Sequence, residues 1–286
     1  MTVARSIASV RRQVAAWRAR GLRVGLVPTM GALHEGHLSL VRRCRRLCDR
    51  TVVSIFVNPT QFGPREDFSS YPRTWKSDLR VCRRAGVDLI FAPSVETMYP
   101  EGFATMIRVG PIGDLWEGAA RPGHFEGVAT VVAKLFYIIG PDVAIFGQKD
   151  YQQTVVIRRM VTDLNLPVRL VVAPTVREPG GLAMSSRNAY LDALSRQDAR
   201  SIHRSLLWAG REIRAGRRNV ARLTRVMTGM IEAGGRFDVD QIGFCDPATL
   251  ASKKTAVPPL VILVAARCRV KGPALGRRYI DNLLIR

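Results

Sequence analysis

Pro28-Thr29-Met30-Gly31-Ala32-Leu33-His34-Glu35-Gly36-His37 is the stretch on which the reading of the fold turns. Before it, Leu22 to Val27 reads as a short buried strand; after it, Leu38-Ser39-Leu40-Val41 with Arg42 and Arg43 opens a helix, so the stretch is a strand-to-helix turn. A helix N-terminus presents unpaired backbone N–H groups and a partial positive charge, and α/β sheets bind phosphates there. Gly31 lets the chain pass close to an anion without a Cβ, and His34 and His37, three apart, share one face of the first turn. Two imidazoles then address one cluster of oxygens. A pair of merely satisfied histidines is the bland alternative, and the packing of two of the chain's four His into one Gly-containing turn weighs against it. Zinc of the metalloprotease type needs His at i and i+4 around a Glu base, whereas here the spacing is i and i+3 with Gly36 between.

Outward from this turn, apolar β-rich runs at Leu22–Val27, Thr51–Val57, Leu89–Phe91, Val143–Phe146 and Val168–Val172 alternate with helical stretches near Leu38–Cys48, Thr74–Ala85, Val128–Ile139 and Gln152–Leu164. Near-continuous apolar strands alternating with helices predict an α/β fold, a parallel sheet covered on both faces. Past Asn188 the pattern changes to two helices, Ser195–Ala215 and Val220–Ala233, followed by strands at Phe237–Cys245, Leu260–Arg269 and Tyr279–Ile285. That order predicts a smaller C-terminal α+β domain containing an antiparallel sheet, and the division is placed at 1–175 and 176–286.

The 286 residues, 47% hydrophobic, are enough for two cores of this kind. The five cysteines are odd in number and scattered, which reads as reduced thiols and a cytoplasmic location. No run of about 18 apolar residues predicts a membrane span. The first 34 residues lack Asp and Glu, as transit peptides do, but Ile7, Val10, Val14 and Trp17 form a helical stripe that predicts a packed amphipathic helix. A net charge of +21 attracts anions, yet 38 of the 44 basic residues are Arg, spread over every helix face without interleaved aromatics. This is expected to give counterion-driven adhesion to nucleic acid without specific recognition.

Each parallel strand is followed by a polar cluster, where open α/β sheets place ligands. These are Asn58-Pro59-Thr60-Gln61-Phe62, Gly147-Gln148-Lys149-Asp150 with Tyr151, Gln152 and Gln153, then Pro174-Thr175-Val176-Arg177 and Met184-Ser185-Ser186-Arg187-Asn188. Singly, they are turns, solvated charges and helix caps. Jointly, a Lys, an Arg, two Ser and two His make a triphosphate clamp, while Gln61 and Gln153 suit the hydroxyl and carboxylate oxygens of a second, small polar ligand. Such a site fits activation of a carboxylate by attack on the α-phosphate of ATP, with cationic and N–H donors stabilising the departing pyrophosphate.

These residues resemble the pantothenate synthetase (pantoate–β-alanine ligase) family. The resemblance rests on the segments 28–37, Phe-Val-Asn-Pro-Thr-Gln-Phe (56–62), Tyr-Pro-Arg-Thr (71–74), Arg-Pro-Gly-His-Phe-Glu-Gly-Val (121–128), Phe-Gly-Gln-Lys-Asp-Tyr-Gln-Gln (146–153), Met-Ser-Ser-Arg-Asn (184–188) and the late Ile280-Asp281-Asn282, in the family's order. It implies a Rossmann-like, doubly wound parallel sheet of nucleotidyltransferase type, a homodimer, and ATP-dependent condensation of (R)-pantoate with β-alanine through a pantoyl adenylate, with Mg²⁺. By the same resemblance His34, His37, Lys149 and Arg187 are catalytic, with His37 a proton donor. ATP is held by Met30, Gly31, His34, Gly36, His37, Gly147, Lys149, Asp150, Val176, Met184, Ser185, Ser186 and Arg187. Asn58, Gln61, Tyr71 and Gln153 serve the other substrates.

The chain departs from the family at a few places. Gln148 stands where many members have Glu and Thr60 where many have Met, which implies altered packing with unchanged chemistry. Of an acidic pair that some members associate with metal, Asp78 alone is present, beside Ser77, and it is the candidate metal ligand; otherwise Mg²⁺ rides on ATP phosphates and water. Arg269–Ala274 reads as a longer turn than is usual, in a domain expected to act as a lid. Two other readings stay open at this point: another nucleotidyl transferase using the same turn, and a basic nucleic-acid binder.

Overall fold

The computed structural model describes residues 1–64 and 66–286. Strands β1 (Thr2–Ala4), β2 (Val24–Thr29), β3 (Arg50–Ile55), β4 (Leu89–Phe91), β5 (Val143–Gly147) and β6 (Arg169–Ala173) form one sheet in the order β1-β4-β3-β2-β5-β6, with every neighbouring pair parallel. Helices α1 (Ile7–Arg18), α2 (Glu35–Arg45), α3 (Trp75–Arg84), α4 (Val95–Met98), α5 (Glu117–Ala120), α6 (His124–Ile139) and α7 (Tyr151–Asp163) connect or follow these strands. Alternate strand residues enter two separate cores. Leu26, Val52, Leu89, Phe91, Ala144 and Phe146 pack with α1, α6 and α7, whereas Val27, Val53, Ile90, Val143 and Ile145 pack with α2 and α3. The sheet is therefore buried on both faces and doubly wound, as the unbroken apolar runs predict.

Strand order reverses between β2 and β5, because the chain winds outward through β3 and β4 on one side and through β6 on the other. That is the switch point at which an open sheet leaves a crevice beyond its strand ends. Met30 follows β2 there and Gly147 ends β5. β2 runs to Thr29, two residues past its expected end, since Pro28 and Thr29 stay in register with Ser54 and Ile55 and the Thr29 hydroxyl donates to the Ser54 carbonyl at 2.7 Å. β3 ends at Ile55, before the expected Val57, because the Asn58 side chain caps a 3-10 turn over Pro59–Gln61. β1 is too short for any periodicity to reveal, and it forms because Thr2, Val3 and Ala4 pair with Leu89, Ile90 and Phe91 at the sheet edge.

The chain divides into two compact units, Met1–Gly147 with Gln152–Pro174, and Gln148–Tyr151 with Thr175–Arg286. The second unit therefore includes a tetrapeptide that a single cut after residue 175 assigns to the first. Its three strands β7 (Phe237–Cys245), β8 (Leu260–Cys268) and β9 (Arg278–Ile285) are antiparallel, and helices α8 (Ala193–Arg214) and α9 (Val220–Glu232) supply Ile202, Leu206, Ile213, Leu223, Met227 and Ile231 to the core they share. The expected amphipathic N-terminal helix is α1, with Val10, Val14 and Trp17 buried. Among the described residues no helix is long and apolar enough to cross a membrane.

Candidate active site

The turn after β2 is held by its own backbone and by one distant carboxylate. Gly31 has φ +81°, and Ala32, which carries a Cβ, also stands in the left-handed region at +49°. An L-residue there costs about 1–2 kcal/mol. Asp78 sustains the conformation: its Oδ2 accepts from the Ala32 amide at 3.1 Å and its Oδ1 from the Leu33 amide at 2.9 Å and the Thr74 hydroxyl at 3.1 Å. Asp78 is 2% exposed. The metal role expected for it does not fit this geometry, because both carboxylate oxygens are engaged in fixing the turn.

His34 is the N-cap of α2, and the two histidines form a capping box with reciprocal backbone bonds. The Gly36 amide donates to His34 Nδ1 at 3.1 Å, and the His34 amide donates to His37 Nδ1 at 3.3 Å. An Nδ1 that accepts from an amide carries no proton, so in the neutral form each ring holds its N–H at Nε2. The ring centroids are 4.1 Å apart. Two Nε2 donors therefore belong to one short turn at the positive end of a helix dipole.

A second group in the same unit surrounds Gln61. Asn58, 1% exposed, donates from Nδ2 to Gln61 Oε1 and to the Gly127 carbonyl, both at 3.1 Å, and its Oδ1 accepts from the Tyr99 hydroxyl at 2.8 Å. Its side chain is fully engaged, so Asn58 orients Gln61 and does not itself offer a contact to substrate. Gln61 Nε2 in turn points at Met30 Sδ, 3.2 Å away. The Gln61 carbonyl accepts from Arg121 at 3.2 Å and from His124 Nδ1 at 2.8 Å, while His124 Nε2 faces Arg121 at 3.0 Å and Arg121 grips Glu66 with two bonds of 2.6 and 2.7 Å. Burial opposes the Glu66 charge, but the Arg121 bonds and charge outweigh it and hold this carboxyl below its ordinary range.

Arg121 caps the end of α5 and His124 opens α6, and the 121–128 segment gives no local sign that both bond to Gln61. Tyr71 is 6% exposed and packs edge-on to Phe62 at 5.9 Å. In the first turn of α7, Gln152 is buried and bonded to the Ile112 and Leu115 carbonyls, whereas Gln153 is partly exposed. Thr60, the first departure, bonds to Asn58 and Tyr99 at 3.0 and 3.3 Å.

In the second unit, Lys149 and Asp150 pair at 3.2 Å within a loop that the C-terminal strand holds. Asn282 on β9, 3% exposed, donates from Nδ2 to the carbonyls of Gln148 and Lys149, each at 2.9 Å, and its Oδ1 accepts from Gln148 Nε2 at 3.2 Å. Gln148, the second departure, thus takes part in packing. Next to Asn282, buried Asp281 receives a two-pronged bond from Arg177 at 2.6 and 3.0 Å. The Val176 carbonyl accepts from the Met184 amide at 2.9 Å, so these two residues face each other across a short bridge. Ser185 caps the 3-10 helix Ser186–Tyr190 by accepting from the Arg187 amide at 3.3 Å, with Ser186 and Arg187 partly exposed. Gly147, in the first unit, is partly exposed, and a Cβ there would meet no atom of the protein within 4 Å. Its lack of a side chain serves no internal packing.

No three His, Cys, Asp or Glu side chains stand together as a metal cage among the described residues.

Comparisons with known proteins identify the family. A family model described as pantoate-beta-alanine ligase matches residues 2–284. Pantothenate synthetase of Moorella thermoacetica is 53% identical over 285 residues, covering 100% of this chain and 99% of the relative, and that of Paramagnetospirillum magneticum is 52% identical over 283 residues, covering 98% and 96%. The crystal structure of pantothenate synthetase from Thermus thermophilus aligns with a TM-score of 0.90 at 46% identity over 99% of both chains. That of pantoate-beta-alanine ligase from Francisella tularensis, complexed with beta-gamma ATP and beta-alanine, aligns at 0.78 and 32% identity over 99% of this chain and 97% of that one. With its sheet order, its paired-histidine turn and this similarity along its whole length, the chain belongs to the pantoate–β-alanine ligase family of enzymes.

Proposed function

We propose that the protein condenses (R)-pantoate with β-alanine at the expense of ATP, by way of a pantoyl adenylate. The pantoate carboxylate attacks the α-phosphate and pyrophosphate leaves. The β-alanine amine then attacks the activated carbonyl, AMP departs with the acyl C–O bond electrons, and the amine gives up a proton. The observation that carries this reading is the pair of imidazoles whose Nδ1 atoms accept backbone amides, so that Nε2–H donors stand at a helix N-terminus. Phosphoryl transfer is catalysed by such preorganised donors, which stabilise charge as it develops.

In this reading His34, His37, Lys149 and Arg187 bind and stabilise the phosphates, and His37 donates a hydrogen bond from Nε2 to the leaving group. Met30, Gly31, Gly36, Gly147, Asp150, Val176, Met184, Ser185 and Ser186 line the nucleotide. Gln61 and Gln153 bind pantoate, with Tyr71 shaping their surroundings and Asn58 orienting Gln61. Mg²⁺ enters with the ATP phosphates, since the described residues form no cage for it, and Mg²⁺ characteristically keeps water and phosphate ligands. The active species is a homodimer, which light scattering of the purified chain would test.

The deciding experiment follows AMP, pyrophosphate and pantothenate from ATP, Mg²⁺ and (R)-pantoate, with and without β-alanine. Sustained AMP release and pantothenate formation that require both acid and amine support the ligase. Pyrophosphate release that needs no pantoate overturns it in favour of another nucleotidyl transferase.

A further inference from the structure

Cys44 and Cys48 lie apart from every group described above. Cys44 is fully buried near the end of α2, and Cys48 is partly exposed one turn later. The Cys48 amide donates to the Cys44 carbonyl at 3.0 Å, so the pair spans a single helical turn. Residues so placed have Cα atoms about 6 Å apart, within the roughly 4.4–6.8 Å that a disulfide spans, and Cβ atoms about 5–6 Å apart, beyond its roughly 3.5–4.5 Å, so the bond closes only as the turn tightens. Opposite them on β2 is Gly25, where a Cβ would lie 2.2 Å from Cys44 Sγ and 3.0 Å from Cys48 Sγ. Both sulfurs thus crowd one point, and the missing side chain makes room for them.

The chemistry of the two thiols is unequal. A hydrogen bond from Cys44, with the positive charges of Arg23 and Arg169, brings the Cys48 thiol below its ordinary value against the opposing effects of burial and Asp142. Cys44 is pushed far up by donating that bond and by burial. By contrast, burial, aided by nearby Asp78 and Asp246, raises Cys82 and Cys245 to about 12. A partly exposed thiol whose ionisation is eased by a hydrogen bond from a neighbouring thiol and by Arg23 and Arg169 has the properties of a redox-reactive cysteine with its resolving partner.

We propose that Cys44 and Cys48 form a reversible, peroxide-responsive dithiol site. The Cys48 thiolate attacks a peroxide oxygen, the O–O bond breaks, and Cys48 becomes a sulfenic acid as hydroxide leaves and is protonated to water. Cys44 then attacks the Cys48 sulfur, the S–O bond breaks, and a second water leaves with the Cys44 proton. Both thiols are oxidised by two electrons in total, and one peroxide is reduced. The end of α2 tightens to bring the sulfurs together, and a small-molecule thiol reverses the bond by exchange.

The full chain treated with hydrogen peroxide, alkylated after unfolding and digested with trypsin tests this. Trypsin cuts after Arg45 and Arg46, so a Cys44–Cys48 bond leaves two peptides joined. Expected is the joint loss of two of the five free thiols, recovery of a linked peptide pair, and its disappearance on reduction. Cys48→Ala, at a partly exposed position, is expected to abolish the link and leave Cys44 unoxidised, while Cys44→Ser leaves Cys48 reacting singly with peroxide. Oxidation of Cys48 to sulfinic or sulfonic acid with no linked peptide, or loss of Cys82, Cys245 and Cys268 as fast as the pair, overturns the proposal.

Discussion

The histidine turn of the first unit and the Lys149 loop of the second each present N–H or ammonium donors on short irregular segments, yet they are held by opposite means. Within the turn, amides bond to imidazoles two and three residues away. The Lys149 carbonyl, by contrast, is held by Asn282, 133 residues away. Short-range bonds form wherever the local motif is present, whereas the loop keeps its shape only once β9 is in the sheet. A motif of the first kind carries its imidazole bonds with it and leans on the distant Asp78 only for the left-handed backbone before them, whereas one of the second kind borrows its geometry from the rest of the fold.

The largest effect that could break this contrast is expected at His37. Replacing His37 by Ala removes one developing-charge donor and is expected to lower AMP release by roughly 100- to 1000-fold. Stability should change by no more than the ~1 kcal/mol typical of a helix cap, as read by thermal melting. If the variant unfolds, the turn is a structural element and the contrast fails.

Asp78→Ala probes the one long-range element of the turn. It strands the amides of Ala32 and Leu33, at about 1–3 kcal/mol for each unsatisfied buried group. Misplacing the donors is expected to cost up to about 100-fold in turnover. Denaturant unfolding and kcat at several Mg²⁺ concentrations are the measurements; restoration of activity by excess Mg²⁺ would return Asp78 to the metal.

A smaller change is expected from Asn282→Ala, which releases the carbonyls of Gln148 and Lys149. Loss of about 1.4 kcal/mol of ATP binding corresponds to a tenfold rise in KM, with kcat changed less. Equal loss of kcat would mean that the loop acts in the chemical step as well as in binding.

Smallest is a pH effect in the second unit. Burial, then the nearby Arg177, lower the His203 pKa, while Asp281 opposes them. The unfolded chain then takes up the proton more readily than the folded one, so this group contributes no penalty above the ordinary His pKa of about 6.5 and destabilises as pH falls through it. His203→Gln is expected to flatten the decline in melting temperature between about pH 7 and pH 5.5. An unchanged slope would place that pH sensitivity elsewhere.

Much of the fold was legible because the central parallel strands are apolar on both faces and the long helices between them carry a stripe. The unread parts have specific physical causes. β1 offers three residues, fewer than one period of any pattern, and exists through its edge pairing with β4. By resemblance Asn58 reads as a substrate contact and Asp78 as a metal ligand; that both are buried, at 1% and 2%, and bond to Gln61 and to the turn depends on burial and partners that no local pattern carries. Arg121 and His124 lie in one segment and Glu66 in another, and nothing in the spacing between residues 66 and 121 announces the Arg121–Glu66 ion pair beside the Gln61 carbonyl that Arg121 and His124 both bond.

By itself the sequence determined the alternation of strands and helices, the change of character near residue 175, and the His34–His37 turn, because periodicity, capping and glycine conformation act over a few residues. Tertiary structure alone decided the strand order and its reversal between β2 and β5, the passage of Gln148–Tyr151 to the second unit, and the supports of Gln61 and Lys149. Those depend on hydrogen bonds between residues far apart in the chain, whose partners are chosen by packing and burial and leave no periodic trace.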